Sequence, residues 1–245
     1  MRKLSRTAAG NAVLIASAGV YTSPDFMTQL CRKVAQLLEE RTRLCVVRAE
    51  LSFPYGDWHG SLLRQIRQVG HDMRLNASTT AKIGRSIGGC LLIEQLGDLS
   101  GIDFVLLLGH SGGGVASIHA AYMLGLTRPE LHVHTVQIGC PRSPIPPQLR
   151  DQVHYLFAVD SGKTTVKDPV CRLGSWGGWD AGLAGLPRWN RLKQAPPVRT
   201  PVPIVGNHPD YFRDHPPFLG KTGQSNLDIL TGLVMDELLE KEFTE

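Results

Sequence analysis

The chain has 245 residues, of which 42% are hydrophobic and 20% charged, with a formal net charge of +4. That is enough for one globular domain with a full core. No segment is apolar enough to span a membrane, and the basic residues are scattered rather than interleaved with aromatics, which argues against nucleic-acid binding.

The five cysteines (Cys31, Cys45, Cys90, Cys140, Cys171) are odd in number and lack metal-site spacing. They read as buried thiols of a cytoplasmic protein, with no metal or other cofactor implied. At the N-terminus, Met1–Arg6 is basic and Ala16-Ser17-Ala18 resembles a signal-peptidase site. The apolar stretch before it is short and interrupted by Gly10 and Asn11. Ala12–Ser17 therefore reads as a buried first strand, which disfavours secretion, and Ala18–Pro24 as the loop after it.

Asp25–Glu40 has helical periodicity, with Phe26, Leu30, Val34 and Leu37 on one face. Leu44–Leu51 reads as a second strand, Phe53–Asp57 as a turn and Trp58–Gly70 as helical. Asp72–Ser86 is polar and without a period, and a helix runs through Leu91–Leu96. Phe104–Leu108 is a wholly apolar third strand, as a strand covered on both faces should be. Gly114–Leu126 is an alanine-rich helix, followed by strands at Val133–Ile138 and Val153–Val159. Gly174–Pro203, rich in Gly, Pro and Trp, reads as a long irregular excursion. Asn226–Lys241 closes the chain as a helix with Leu227, Leu230, Leu233, Val234 and Leu238 spaced for burial. Strands alternating with helices predict an α/β fold, a mostly parallel sheet with helices on both faces, in a single domain spanning 1–245.

The most informative segment lies between the third strand and its helix. Gly109-His110-Ser111-Gly112-Gly113 fits G-x-S-x-G, the nucleophile elbow of the α/β-hydrolase fold. A strand that turns sharply into a helix strains its central residue and crowds the positions two before and two after, so both favour glycine. The serine hydroxyl then stands clear at the positive end of a helix. A serine becomes a nucleophile only when an imidazole takes its proton, and the imidazole needs a carboxylate to fix its tautomer. In these folds the order is serine, acid, histidine. Two acids fit: Asp160 at the end of the fifth strand, and Asp168 in a proline turn. Two histidines lie late enough, His208 after the apolar segment Ile204–Gly206 and His215 in a proline-bounded loop, and His208 is better placed.

Four short motifs resemble the class 3 (fungal-type) lipases: Gly109–Gly113, Ile138-Gly139-Cys140-Pro141-Arg142, Asp168-Pro169-Val170-Cys171-Arg172-Leu173 and His208-Pro209-Asp210-Tyr211-Phe212. The resemblance implies an α/β-hydrolase fold with Ser111, Asp168 and His208 as its triad, and moves the acid away from Asp160. It covers about half the chain. Gly112 replaces a common leucine, Cys171 a frequent proline, and the first hundred residues match less well.

The implied reaction is hydrolysis of a small-molecule or lipid-like carboxylic ester through an acyl-serine. A thioesterase, acyltransferase or amidase is the alternative, and a non-catalytic binding protein the remaining one. The oxyanion needs two N–H donors. Gly112 should supply one, and the loop after the first strand, Gly19-Val20, the other. Between acid and histidine, 173–207 holds Trp176, Trp179 and Trp189 and reads either as a cap over the acyl pocket or as a self-packed loop. No long amphipathic lid stands out, which favours a small ester over bulk triglyceride. The sequence sets no oligomeric state.

Overall fold

The structure is a computed structural model that describes residues 4–5, 9–75, 80–182 and 186–244. Parts of the basic N-terminal start and of the polar stretch before Ser86 therefore lie outside the described residues. In chain order the elements are β1 (Leu4–Ser5), β2 (Gly10–Ser17), α1 (Thr28–Arg41), β3 (Leu44–Ser52), α2 (Leu62–Met73), α3 (Thr80–Ile83), α4 (Ile87–Leu96), β4 (Phe104–His110) and α5 (Gly112–Thr127). They continue with β5 (His132–Ile138), β6 (Val153–Val159), β7 (Gly178–Ala181), β8 (Pro187–Asn190), β9 (Val198–Pro203), α6 (Asn226–Glu242) and β10 (Phe243–Thr244).

Six strands form one sheet in the order β3-β2-β4-β5-β6-β9, and every pairing in it is parallel. Side chains alternate across a strand, which explains the unbroken apolar run of β4. Phe104, Leu106 and Leu108 face one core shared with α1 and α6, while Val105 and Leu107 face a second core shared with α4 and α5. The chain thus has an α/β fold with helices on both faces of a parallel sheet.

Local boundaries move where sequence signals compete. Helix α1 begins at Thr28, after a turn over Pro24–Met27, and buries Leu30, Cys31, Val34 and Leu38, with Leu37 only half-buried. The helix expected over Trp58–Gly70 runs instead over Leu62–Met73. The largest difference is β9, which lies inside the segment expected to be irregular. Its Pro201 and Pro203 mask it as a strand. They are tolerated because β9 is the sheet edge, where a missing N–H breaks no ladder. The five thiols are all free, but Cys45 and Cys90 are exposed, so burial holds only for Cys31, Cys140 and Cys171.

The polar stretch around Asp72 has a structural use. The buried Asp72 carboxylate accepts hydrogen bonds from Tyr55 OH (2.9 Å), Ser86 Oγ (2.8 Å) and the N–H groups of Ile87 and Gly88 (2.9 Å each) at the start of α4. Ser86 Oγ in turn accepts from Gly89 N–H (3.0 Å) and from His119 Nδ1 on α5 (2.8 Å). An anion at a helix N-terminus is favourable, and here it fastens α4 to α5.

Burial lowers three imidazoles: His110 to about 3, His119 to about 4 and His154 to about 3. In the unfolded chain they titrate near 6.5, so below that pH the unfolded state binds more protons than the folded one. Stability should therefore fall as pH drops from about 6.5 toward 4, with urea unfolding showing a lower midpoint at pH 5 than at pH 7. His119→Gln should flatten that slope. A wild-type midpoint equal at both pH values would contradict this account.

Candidate active site

The turn from β4 to α5 holds Ser111 at φ 54°, ψ −128°, and Tyr21 is the other non-glycine residue with positive φ among those described. Such backbone strain persists only where its surroundings enforce it. A Cβ on Gly109 would sit 2.4 Å from the Cα of Gly114, so this glycine permits the sharp turn itself. A Cβ on Gly113 would sit 2.1 Å from the carbonyl oxygen of Ser17, so the second glycine serves a different contact, the approach of α5 to the end of β2. Gly112 is the first residue of α5, and its N–H has no acceptor within the helix.

The loop after β2 reaches the same point. A Cβ on Gly19 would lie 2.7 Å from Ser111 Cβ and 3.2 Å from the Gly112 nitrogen. Gly19 and Val20 thus border Ser111 and Gly112. The next residue, Tyr21, donates its N–H to Gln65 Oε1 (2.6 Å), and Gln65 Nε2 donates to the Asp57 carbonyl (2.6 Å). Gln65 is buried on α2, whose Leu62, Leu63 and Ile66 are exposed. Val69 of the same helix leans over Gly112, 2.8 Å from where a Cβ on that glycine would be. Although no amphipathic lid stood out in the sequence, α2 thus covers one side of the elbow.

Asp168 is buried, and its Oδ2 accepts from His208 Nδ1 at 2.7 Å. The same oxygen accepts from Tyr211 OH (3.0 Å), and Oδ1 accepts from Val170 N–H (2.8 Å). Burial pushes this carboxyl upward, but the bonds from His208, Val170 and Tyr211 outweigh it and hold it below the ordinary carboxylate value. An ionised carboxylate only accepts, so His208 carries its proton on Nδ1 and presents Nε2 as a base. Asp160 is exposed and paired with Lys163 (3.3 Å) and Lys167 (3.1 Å). His215 is exposed and bonded to its neighbour Asp214 (2.9 Å).

His208 opens a 3-10 turn that is held from several directions. His110, the variable residue of the elbow, stacks on its ring at 4.6 Å with 27° between planes and donates Nε2–H to its carbonyl oxygen (3.3 Å). Desolvation keeps His110 neutral, so it packs beneath His208 without adding charge. Asn207 and Asp210 form a capping box. From α6, the buried Asn226 accepts from Val205 N–H (2.8 Å) and donates to the carbonyls of Val205 and Asp210 (2.7 Å each). Tyr211 also accepts from Ala158 N–H (2.8 Å), tying the turn to β6. Sequence reasoning gave no role to Asn226, Tyr211 or Gln65. Only the aromatic next to the histidine motif hinted at one.

Within 173–207, Trp176 is buried beside Tyr155, whereas Trp179 and Trp189 pack on each other at 5.2 Å across the β7–β8 hairpin and stay exposed. Among the described residues the hairpin makes no hydrogen bond or ring contact with Ser111, Asp168 or His208. Also among the described residues, no group of three or more His, Cys, Asp or Glu side chains is placed to hold a metal ion, and no helix is long and apolar enough to cross a membrane.

The site thus lies where an inner strand of a parallel sheet turns through a strained serine into a helix. A solved structure described as the "putative cell surface hydrolase from Lactobacillus plantarum WCFS1" is similar over 97% of this chain and 94% of its own, at 10% identity and a TM-score of 0.43. No protein-family model and no curated protein matches the sequence.

Asn226→Ala should cost about 2 kcal/mol or more, because it strips buried partners from Val205 and Asp210. It should also speed amide exchange at residues 205–210 relative to the core strands. Unchanged exchange there would show that the histidine turn does not depend on this side chain.

Proposed function

We propose that the chain is a serine carboxylic ester hydrolase, a single α/β-hydrolase domain in which Ser111, His208 and Asp168 act as nucleophile, base and orienting acid. The observation that carries the reading is the buried, ionised Asp168 bonded to His208 Nδ1, which fixes the tautomer a general base requires. Ser111 Oγ attacks the ester carbonyl, and its proton passes to His208 Nε2 and then to the leaving alcohol. Water, deprotonated in the same way, releases the acid from the acyl-serine.

The negative charge that develops on the carbonyl oxygen falls to the Gly112 N–H and to a donor of the Gly19-Val20 loop. The closeness of Gly19 to Ser111 and Gly112 supports that assignment. Each such donor is worth about 2.7–4 kcal/mol of barrier. The motif resemblance to class 3 lipases supports an ester over an amide. The enclosure of the elbow by α2 supports an acyl group of limited size, and water is the proposed acceptor.

A fluorophosphonate probe should label the wild type and not Ser111→Ala. Equal labelling of both would end this reading. Asp168→Asn should lower turnover of a p-nitrophenyl ester by about 10⁴-fold through loss of the correct tautomer, while Asp160→Asn should leave it nearly unchanged. The reverse pattern would assign the acid to Asp160. Gly19→Ala, which thrusts a methyl group at Ser111 Cβ, should lower kcat by about 10²-fold or more. A panel of esters of rising chain length, with added alcohol and amine acceptors, reads acyl preference and separates hydrolysis from transfer.

A further inference from the structure

Away from the Ser111 elbow, the structure contains a cavity of about 310 Å³ lined by Arg142, Tyr155, Phe157, Val166, Cys171, Trp176 and Arg199. It lies on the face of β6 that carries Tyr155 and Phe157. Arg199 arrives from β9, where it pairs in register with Tyr155. The excursion after Leu173 supplies Trp176, and the turn after β5 supplies Arg142.

The lining combines two guanidinium groups with three aromatic rings. Trp176 is 5% exposed, and its indole nitrogen is closed off from solvent with no hydrogen-bond partner among the described residues, so it offers the cavity its ring. Arg142 lies over the Trp176 ring, 5.4 Å from its centroid, and its Nε is closed off from solvent with no partner among the described residues. Neither Arg142 nor Arg199 forms an ion pair among the described residues. The neighbouring carboxylate, Asp168, is engaged by His208, Tyr211 and Val170. The hydroxyl of Tyr155 is spent on the Cys140 carbonyl, so that residue offers the cavity its ring. Burial raises the Cys171 thiol to about 12, so it stays neutral and does not repel an anion.

A half-buried guanidinium without an ion pair favours an anionic partner, and Arg199 at the mouth adds a second positive charge. Walls of Phe157, Tyr155, Trp176 and Val166 exclude a bare ion and suit an apolar or planar body, and the volume is at the small end of ligand sites. We propose that this cavity binds a small organic anion, a carboxylate or similar group on an apolar, planar body, with the anion recognised by Arg142 and Arg199 and the body packed against the Trp176 ring. The site adjoins Asp168 through Cys171 but does not depend on the hydrolase reading.

The test uses the full chain labelled with ¹⁵N, the Trp176 indole cross-peak assigned through Trp176→Phe, and 4-phenylbutyrate against neutral 4-phenylbutanol as probes. Phenylbutyrate should shift that peak saturably, and the alcohol should bind about tenfold more weakly or not at all. Arg142→Gln should weaken phenylbutyrate about tenfold or more, and Arg142→Lys should recover only part, because lysine cannot present a planar fork. Arg199→Gln, at the exposed mouth, cannot disturb the core and should also weaken binding several-fold. Ser111→Ala should bind as the wild type does. The proposal fails if the Trp176 peak shows no saturable shift up to about 10 mM probe. It also fails if the alcohol binds as well as the acid, or if both Arg142→Gln and Arg199→Gln leave binding unchanged.

Discussion

The approach of helix α5 to the end of strand β2 is the contact on which the rest of the site depends. Gly113 brings its backbone so close to Ser17 that a single added carbon would fall 2.1 Å from a carbonyl oxygen. At the same junction Gly109 permits the sharp turn between β4 and α5, and Ser111 sits in that turn at positive φ. The loop that follows β2 lies against Ser111, with Gly19 beside the Gly112 nitrogen. Close packing of α5 and of the loop after β2 thus shapes the surroundings of Ser111 and of the Gly112 N–H.

The second half of the site is held by side chains drawn from across the chain. His208 sits in a short 3-10 turn that has its own capping box and is held from outside as well. Its carbonyl is met by His110 from the elbow, its imidazole by Asp168 from the loop after β6, and its flanking backbone by Asn226 from α6. The stacked His110 ring matters because it is neutral. A charged imidazole there would oppose protonation of His208, and deep burial prevents that charge from forming. Tyr211 completes the arrangement by spanning Asp168 and the backbone of β6. Fixed donors outweigh the loss of solvent around the carboxylate and keep the acid ionised.

Much of the framework is legible in the residues alone. Apolar runs such as Phe104–Leu108 mark a doubly covered strand, and G-x-S-x-G between a strand and a helix marks a turn where the flanking positions favour glycine. The edge strand β9 was hidden because its prolines are strand breakers everywhere except at an edge, and a sequence does not announce which strand is the edge. The choice between Asp160 and Asp168 was equally hidden in the local pattern. It turns on which carboxylate is buried against an imidazole and which is exposed between two lysines.

The sequence by itself determined the alternation of strands and helices, the elbow at Ser111 and the order of acid and histidine candidates after it. These are local properties, fixed by periodicity and by where only glycine fits. The tertiary structure decided what depends on residues far apart in the chain. It paired Asp168 with His208, stacked His110 beneath it, bound Asn226 to the histidine turn and laid α2 over Gly112. It also gathered Arg142, Arg199 and Trp176 around one cavity. Burial and hydrogen-bond partnership arise only when distant segments meet, and they set the charge state and orientation of each of these groups.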